Sequence, residues 1–193
     1  MRRETLIWIA IAGLLLVMIT AALTKQGSAF GIFARGISPR TSSGNVSAND
    51  GPVAPEFAPG TWINSEGLTL KGLRGRVVLV EFWTFGCYNC RNTLPYVKRW
   101  DERYRDKGLT VVGVHSPEFD EEKNIDNVRR ETASLGIRYP VVTDNDYATW
   151  RAYNVEAWPT IFILDKASRI RWTHVGEGEY DEAEAVIQKL LAE

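Results

Sequence analysis

Apolar positions run without a charged residue from Leu6 to Leu23, 18 in succession. About 17–25 such residues cross a bilayer as a helix. A helix apolar on every face has no side to turn toward water. Residues 1–24 therefore read as a single N-terminal transmembrane helix that anchors the chain. The rival reading is a cleaved signal peptide, with "TAA" at 20–22 as the cut site; its apolar stretch is usually shorter, about 7–15 residues. Arg2 and Arg3 keep the N-terminus in the cytoplasm, while Lys25, Arg35 and Arg40 dilute that bias. Periodicity then vanishes over residues 25–54, where Gly, Ser, Asn and Pro dominate, as in a flexible linker.

A folded domain is expected over residues 55–193. "TWINSEGLTLKGLRG" (61–75) has two short strand-like pieces around Ser65-Glu66-Gly67, which predicts an N-terminal β-hairpin. "VVLVEFW" (77–83) is a continuous β-branched and aromatic run, the pattern of a strand buried on both faces. Leu94, Val97, Trp100 and Tyr104 recur at spacings of three and four, which predicts a helix over 88–107, kinked at Pro95. "LTVVGVHS" (109–116) repeats the buried-strand pattern, and 121–135 is a charged amphipathic helix stopped by Gly136. Short strands follow at 139–144, 160–165 and 169–175, with helices at 147–154 and 179–193. The alternation predicts an α/β domain with a central mixed sheet and helices on both faces.

Composition narrows the function. A net charge of −1 gives no basic surface for nucleic acid. "DEEKNIDNVRRE" (120–131) reads as a solvated helix face. The chain has two cysteines, Cys87 and Cys90, and two histidines, His115 and His174. Two cysteines make no disulfide framework and cannot fill a tetrahedral zinc site alone. They remain a redox couple, part of a mixed metal site, or incidental.

Their placement favours the couple. Cys87 follows a strand and precedes a helix, whose free N–H groups and partial positive charge stabilise a thiolate. Cys90 lies one turn later on the same side. Cys87 is then the attacking sulfur and Cys90 the resolving one. Glu81 stands in an otherwise apolar strand, where desolvation raises a carboxyl pKa and suits it to carry a proton to and from Cys90; the alternative is an edge position reaching water. Pro159, at a strand entry beside Trp158, is a candidate cis-proline.

Together these residues resemble the thioredoxin superfamily. "VEFWTFGCYNC" is similar to its stretch of acid, aromatic and tryptophan before the redox pair, Pro95 falls on its helix-kinking proline and "WPT" (158–160) on its cis-proline loop. "WINSEGLTLKGLRGRVVLVEFW", "NTLPYVKRWDERY", "VVGVHSPEF" and "GIRYPVVTDNDYATWRAY" resemble the membrane-linked TlpA/DipZ-type group, over about residues 53 to 193. The resemblance implies a thioredoxin-like fold and an extracytoplasmic thiol–disulfide oxidoreductase, usually a reductant. Its redox group is the Cys87–Cys90 disulfide, with no other cofactor and no metal. Its partners are protein thiols and disulfides, and a separate integral-membrane electron donor of the DsbD/CcdA type. Pro159 would shape the substrate groove with Trp158 beside it; Tyr88, Asn89 and Phe85 are the further candidate substrate contacts, and Glu118 in "HSPEF" a candidate second acid. Tyr88-Asn89 departs from the Gly-Pro of ordinary thioredoxin, so direction is not readable from the motif.

Three other readings compete. A copper-delivery protein of the same fold would use both cysteines and a histidine, but spaces its cysteines by three residues, not two. A thiol peroxidase shares Thr84-x-x-Cys87 but has proline where this chain has Val80. A structural disulfide across so short a loop would add little stability.

Overall fold

The computed structural model describes residues 51–193, so the predicted anchor and nearly all of the linker lie outside the described residues. Among the described residues no helix is long and apolar enough to cross a membrane. In chain order the elements are β1 (Trp62–Ile63), β2 (Val77–Trp83), α1 (Tyr88–Tyr104), β3 (Leu109–His115), α2 (Ile125–Ser134), β4 (Val141–Thr143), α3 (Ala148–Ala152), β5 (Thr160–Leu164), β6 (Ile170–Val175) and α4 (Tyr180–Ala192). The strands form one mixed sheet in the order β1-β4-β3-β2-β5-β6. β2, β3 and β4 are parallel; β1, β5 and β6 each run antiparallel to their neighbours. This is a thioredoxin-like α/β fold.

β2 lies between β3 and β5 with all seven residues buried. A strand covered on both faces has no position for a solvated side chain, which is why its sequence does not alternate. Its side chains nonetheless divide by parity. Val77, Leu79 and Trp83 pack with Cys90, Leu94, Val97, Trp100, Ile187 and Leu190 on the face covered by α1 and α4. Val78, Val80 and Phe82 pack on the opposite face with Val112, Val114, Phe162, Tyr153 and Val155. Glu81 is in phase with the first set.

α1 buries Leu94, Val97, Trp100 and Tyr104, the predicted stripe; each such side chain contributes about 1.5–3 kcal/mol on burial. The helix passes through Pro95 without interruption. Pro95 and Arg91, whose carbonyl loses its partner, are both on the exposed side, where water can take the vacant bond. Asn124 caps α2 by accepting from the Asp126 and Asn127 N–H groups, and Gly136, at φ +65°, ends the turn after it.

The predicted hairpin over 61–75 does not form. β1 is two residues long and pairs with β4, Trp62 opposite Val142. Asn64, at φ +64°, turns the chain away and its side-chain amide donates to the carbonyls of Ile137 and Tyr139 (3.0 and 3.1 Å). The second piece is a turn held by Glu56, which accepts from the Leu70 N–H (2.7 Å) and leaves Leu70 and Leu73 in the core. The edge of β4, some 80 residues away, offers β1 a better ladder than the adjacent segment does.

Candidate active site

The end of β2 and the start of α1 bring the redox pair to the surface. Cys87 has extended backbone angles (φ −71°, ψ 118°) and occupies the N-cap of α1. An N-cap side chain normally supplies an oxygen to the first free N–H groups; here a sulfur does so, and Cys87 Sγ accepts from the Cys90 N–H (3.2 Å). Cys87 is partly exposed and Cys90 fully buried, both as free thiols.

That asymmetry separates their acidities. The hydrogen bond from the Cys90 side chain, assisted by the Cys90 and Asn89 N–H groups, lowers the Cys87 thiol from its ordinary 9.0 to about 7, against opposing burial. Burial, then the shared hydrogen bond with Cys87, pushes the Cys90 thiol far above its ordinary range. Near neutral pH the outer sulfur is substantially ionised and the inner one holds its proton.

Glu81 has no exposed surface and lies near enough to Cys90 for its charge to oppose ionisation of that thiol. The edge alternative for this residue is thereby excluded. Burial lifts its carboxyl from 4.5 to about 7, although a hydrogen bond from Tyr139 pulls the other way. Tyr139 Oη donates to Glu81 Oε2 (2.9 Å), while Oε1 has no partner among the described residues. The opening for Tyr139 comes from Gly113, which sits opposite Glu81 in the β2–β3 register. A Cβ on Gly113 would stand 2.8 Å from Trp83 Nε1 and 3.2 Å from Tyr139 Cε2. Neither Tyr139 nor Gly113 was marked by the sequence patterns. Tyr139 occurs at a strand entry, as many structural tyrosines do, and Gly113 inside an apolar run; only an isolated glycine in a strand signals close approach.

The Trp158–Pro159 peptide is cis, as the sequence suggested. Pro159 is buried, and its carbonyl accepts from the Gly176 N–H (2.8 Å). Trp158 is half-buried, its indole Nε1 donating to the Ser116 carbonyl (3.0 Å) and its ring lying 4.4 Å from that of Trp150. A groove of about 490 Å³ opens over Cys87, lined by Tyr88, Asn89, Glu118, Phe119 and Trp158 among others. Tyr88 is 75% and Phe119 51% exposed, so both present aromatic surface beside Cys87. Glu118 stands close enough to oppose ionisation of Cys87.

One expected contact is elsewhere. Phe85, grouped above with the substrate contacts, does not line the groove. Its ring turns inward and stacks on His115 (5.6 Å, 23°). His115 is buried, lies within 3.2 Å of Thr84 Oγ1 through Nε2, and is driven by burial down to about 4, so it is neutral. His174 stacks instead on Trp172 and contacts the Glu177 carbonyl. Among the described residues no three His, Cys, Asp or Glu side chains are grouped as metal ligands.

Glu122 lies inside 120–131, a stretch whose charges predict a solvated helix face. It is 1% exposed. Its Oε1 accepts from the Gly86 N–H (2.8 Å), and Oε2 from the N–H groups of Glu118 (2.5 Å) and Phe119 (3.0 Å).

A family model described as Redoxin matches residues 50–190. The protein DipZ of Mycobacterium tuberculosis is 43% identical over 133 residues, 67% of this chain and 19% of that protein. The chain thus spans about a fifth of the length of the DipZ proteins it matches. The thiol-disulfide oxidoreductase ResA of Bacillus thuringiensis is 28% identical over 141 residues, 72% of this chain and 78% of that one. Among solved structures, a putative thiol:disulfide interchange protein DsbE from Chlorobium tepidum superposes with a TM-score of 0.61 at 30% identity, covering 76% of this chain and 98% of that one.

Proposed function

The chain belongs to the Redoxin family, as a thioredoxin-like thiol–disulfide oxidoreductase with a Cys87–Cys90 pair, and from that premise we propose that it reduces protein disulfides outside the cytoplasm. The Cys87 thiolate attacks one sulfur of a substrate disulfide. A mixed disulfide forms and the other substrate sulfur leaves as a thiolate. Cys90 then gives up its proton and attacks Cys87 Sγ. The Cys87–Cys90 disulfide forms, the mixed disulfide breaks, and the substrate departs as a dithiol carrying two electrons. Glu81 takes the proton of Cys90, for which a carboxyl titrating at about 7 is suited.

One observation carries the reading. The exposed sulfur is held at a helix N-cap with its acidity raised, and its partner is buried beside a carboxyl that has no exposed surface. Trp158, Tyr88 and Asn89 form the walls against which an extended substrate segment lies, and cis Pro159 sets the Trp158 wall. The run from Leu6 to Leu23 tethers the domain to the membrane, with residues 25–54 as its leash. ResA and DsbE, as thiol–disulfide oxidoreductases similar to this chain, support the extracytoplasmic placement. A separate integral-membrane donor of the DsbD/CcdA type returns the electrons.

Two substitutions test the mechanism. Cys87→Ser abolishes insulin reduction; turnover at the wild-type rate would disprove the assignment of the nucleophile. Cys90→Ser leaves the mixed disulfide unresolved, so substrates are captured on Cys87 from intact membranes. Recovery of none would remove Cys90 from the resolving step.

A further inference from the structure

Glu122 is a buried carboxylate that no part of the disulfide-exchange chemistry uses. It is 1% exposed. No Lys or Arg pairs with it among the described residues. An unpaired buried charge is costly unless hydrogen bonds replace its lost water, and charge-assisted bonds from N–H groups are the strong kind. Three such bonds converge on Glu122, and they come from two different segments. Oε1 takes the N–H of Gly86, the residue before Cys87. Oε2 takes the N–H groups of Glu118 and Phe119. Both segments line the groove over Cys87, and Glu122 ties one to the other.

Gly86 is fitted to this contact. A Cβ there would lie 2.5 Å from Glu122 Oε1 and 3.7 Å from the Phe119 ring. The backbone at Gly86 is not left-handed, so close approach, not a special φ, explains the glycine. Phe119 is half exposed at the rim, and its N–H is tied to Glu122 Oε2.

We propose that Glu122 is a positioning residue that fixes the Glu118–Phe119 wall against the Cys87 turn, and so selects substrates that present an extended polypeptide rather than a bare disulfide. This rests on the exchange mechanism above. The carboxylate touches neither sulfur; it acts by setting the width of the groove. A small disulfide needs only the exposed face of Cys87. A peptide disulfide must also lie between Tyr88, Phe119 and Trp158, and gains from walls already in place.

The prediction follows from counting donors. Glutamine has the same length but one acceptor oxygen, so its amide can serve Gly86 or the Glu118–Phe119 pair, not both. Rate constants for the reduced full-length chain are measured against insulin and against hydroxyethyl disulfide. In Glu122→Gln the ratio of insulin rate to hydroxyethyl disulfide rate falls roughly tenfold, since misplacement by about an ångström costs up to about a hundredfold. Gly86→Ala approaches the same contact from the other side, by pushing the carboxylate off with a methyl group, and lowers the ratio in the same direction. It also decides the matter if the Glu122 variant does not fold. A ratio equal to wild type in the folded variants, with both rates falling together or neither falling, overturns the proposal. Failure of the mechanism itself looks different: Cys87→Ser would then retain reduction of both disulfides.

Discussion

The two faces of the central sheet are built from alternate residues of the same strands, yet they solve different problems. The face under α3 carries Phe82, Tyr153, Phe162 and Trp150 in mutual edge-on or tilted contact at 5.0–6.0 Å. Its strand residues Val78, Val80, Phe82, Val112, Val114 and Phe162 are apolar, with buried Thr160 opposite Phe82 bonded to the Ala157 carbonyl, and the one buried polar atom without a partner in that aromatic group is the Tyr153 hydroxyl. The face under α1 and α4 tolerates far more. Glu81 Oε1, Trp83 Nε1 and Trp100 Nε1 are all buried there without partners among the described residues, and a carboxyl and a thiol sit where water cannot solvate them. A fold that accepts such costs on one side needs well-packed apolar surface on the other. Burial produces stability on both faces; on the second it also shifts the acidities that the chemistry uses.

The division can be broken by mutation. The largest effect is expected for Phe82→Ala, which empties the centre of the aromatic group and costs about 3–5 kcal/mol. Urea titration measures that loss, while iodoacetamide alkylation of Cys87 should keep its midpoint near pH 7. A midpoint displaced along with stability would mean that the faces are not independent.

Glu81→Gln should do the opposite. The folded state holds the Glu81 proton up to about pH 7, whereas a free carboxyl releases it near 4.5. The associated stability is fully present below pH 4.5 and is lost as pH rises through 7. At pH 8 the wild type therefore carries a buried charge costing up to about 3 kcal/mol. Glutamine removes that charge, so the variant should be the more stable protein at pH 8 and the slower reductant. Equal dependence of stability on pH in both proteins would show that Glu81 is not the group titrating.

Tyr139→Phe should have the smallest effect, about 1–2 kcal/mol for one hydrogen bond to a buried acid. Because that bond lowers the Glu81 carboxyl, its loss should move the titration of Glu81 upward, as followed by carboxyl NMR. A downward movement would contradict the cause assigned here.

Much of this architecture is legible in the sequence. The run 77–83 read as a central buried strand because nothing in it could face water. α1 read as a helix from the spacing of Leu94, Val97, Trp100 and Tyr104. The pairing of Cys87 with Cys90 followed from their separation by one helical turn, and Glu81 stood out as the single charge in an apolar run. The false hairpin at 61–75 shows the limit of that reasoning. Ser65-Glu66-Gly67 is a reasonable turn, but a strand pairs with the best edge available in three dimensions, and that edge was β4. Phe85 illustrates a related point: an aromatic beside a reactive cysteine can turn outward or inward, and stacking on His115 draws this ring inward.

By itself the sequence determined the order of the elements, the faces they bury, and the position of two cysteines at a helix start, because periodicity and local backbone preference act over a few residues. The tertiary structure alone decided which distant groups meet. Tyr139 reaches Glu81 across the space left by Gly113, and Glu122 grips Gly86 from 36 positions away. Such encounters depend on sheet order and on the crossing of loops, and a carboxylate bound for solvent looks the same in one dimension as a carboxylate bound for three buried N–H groups.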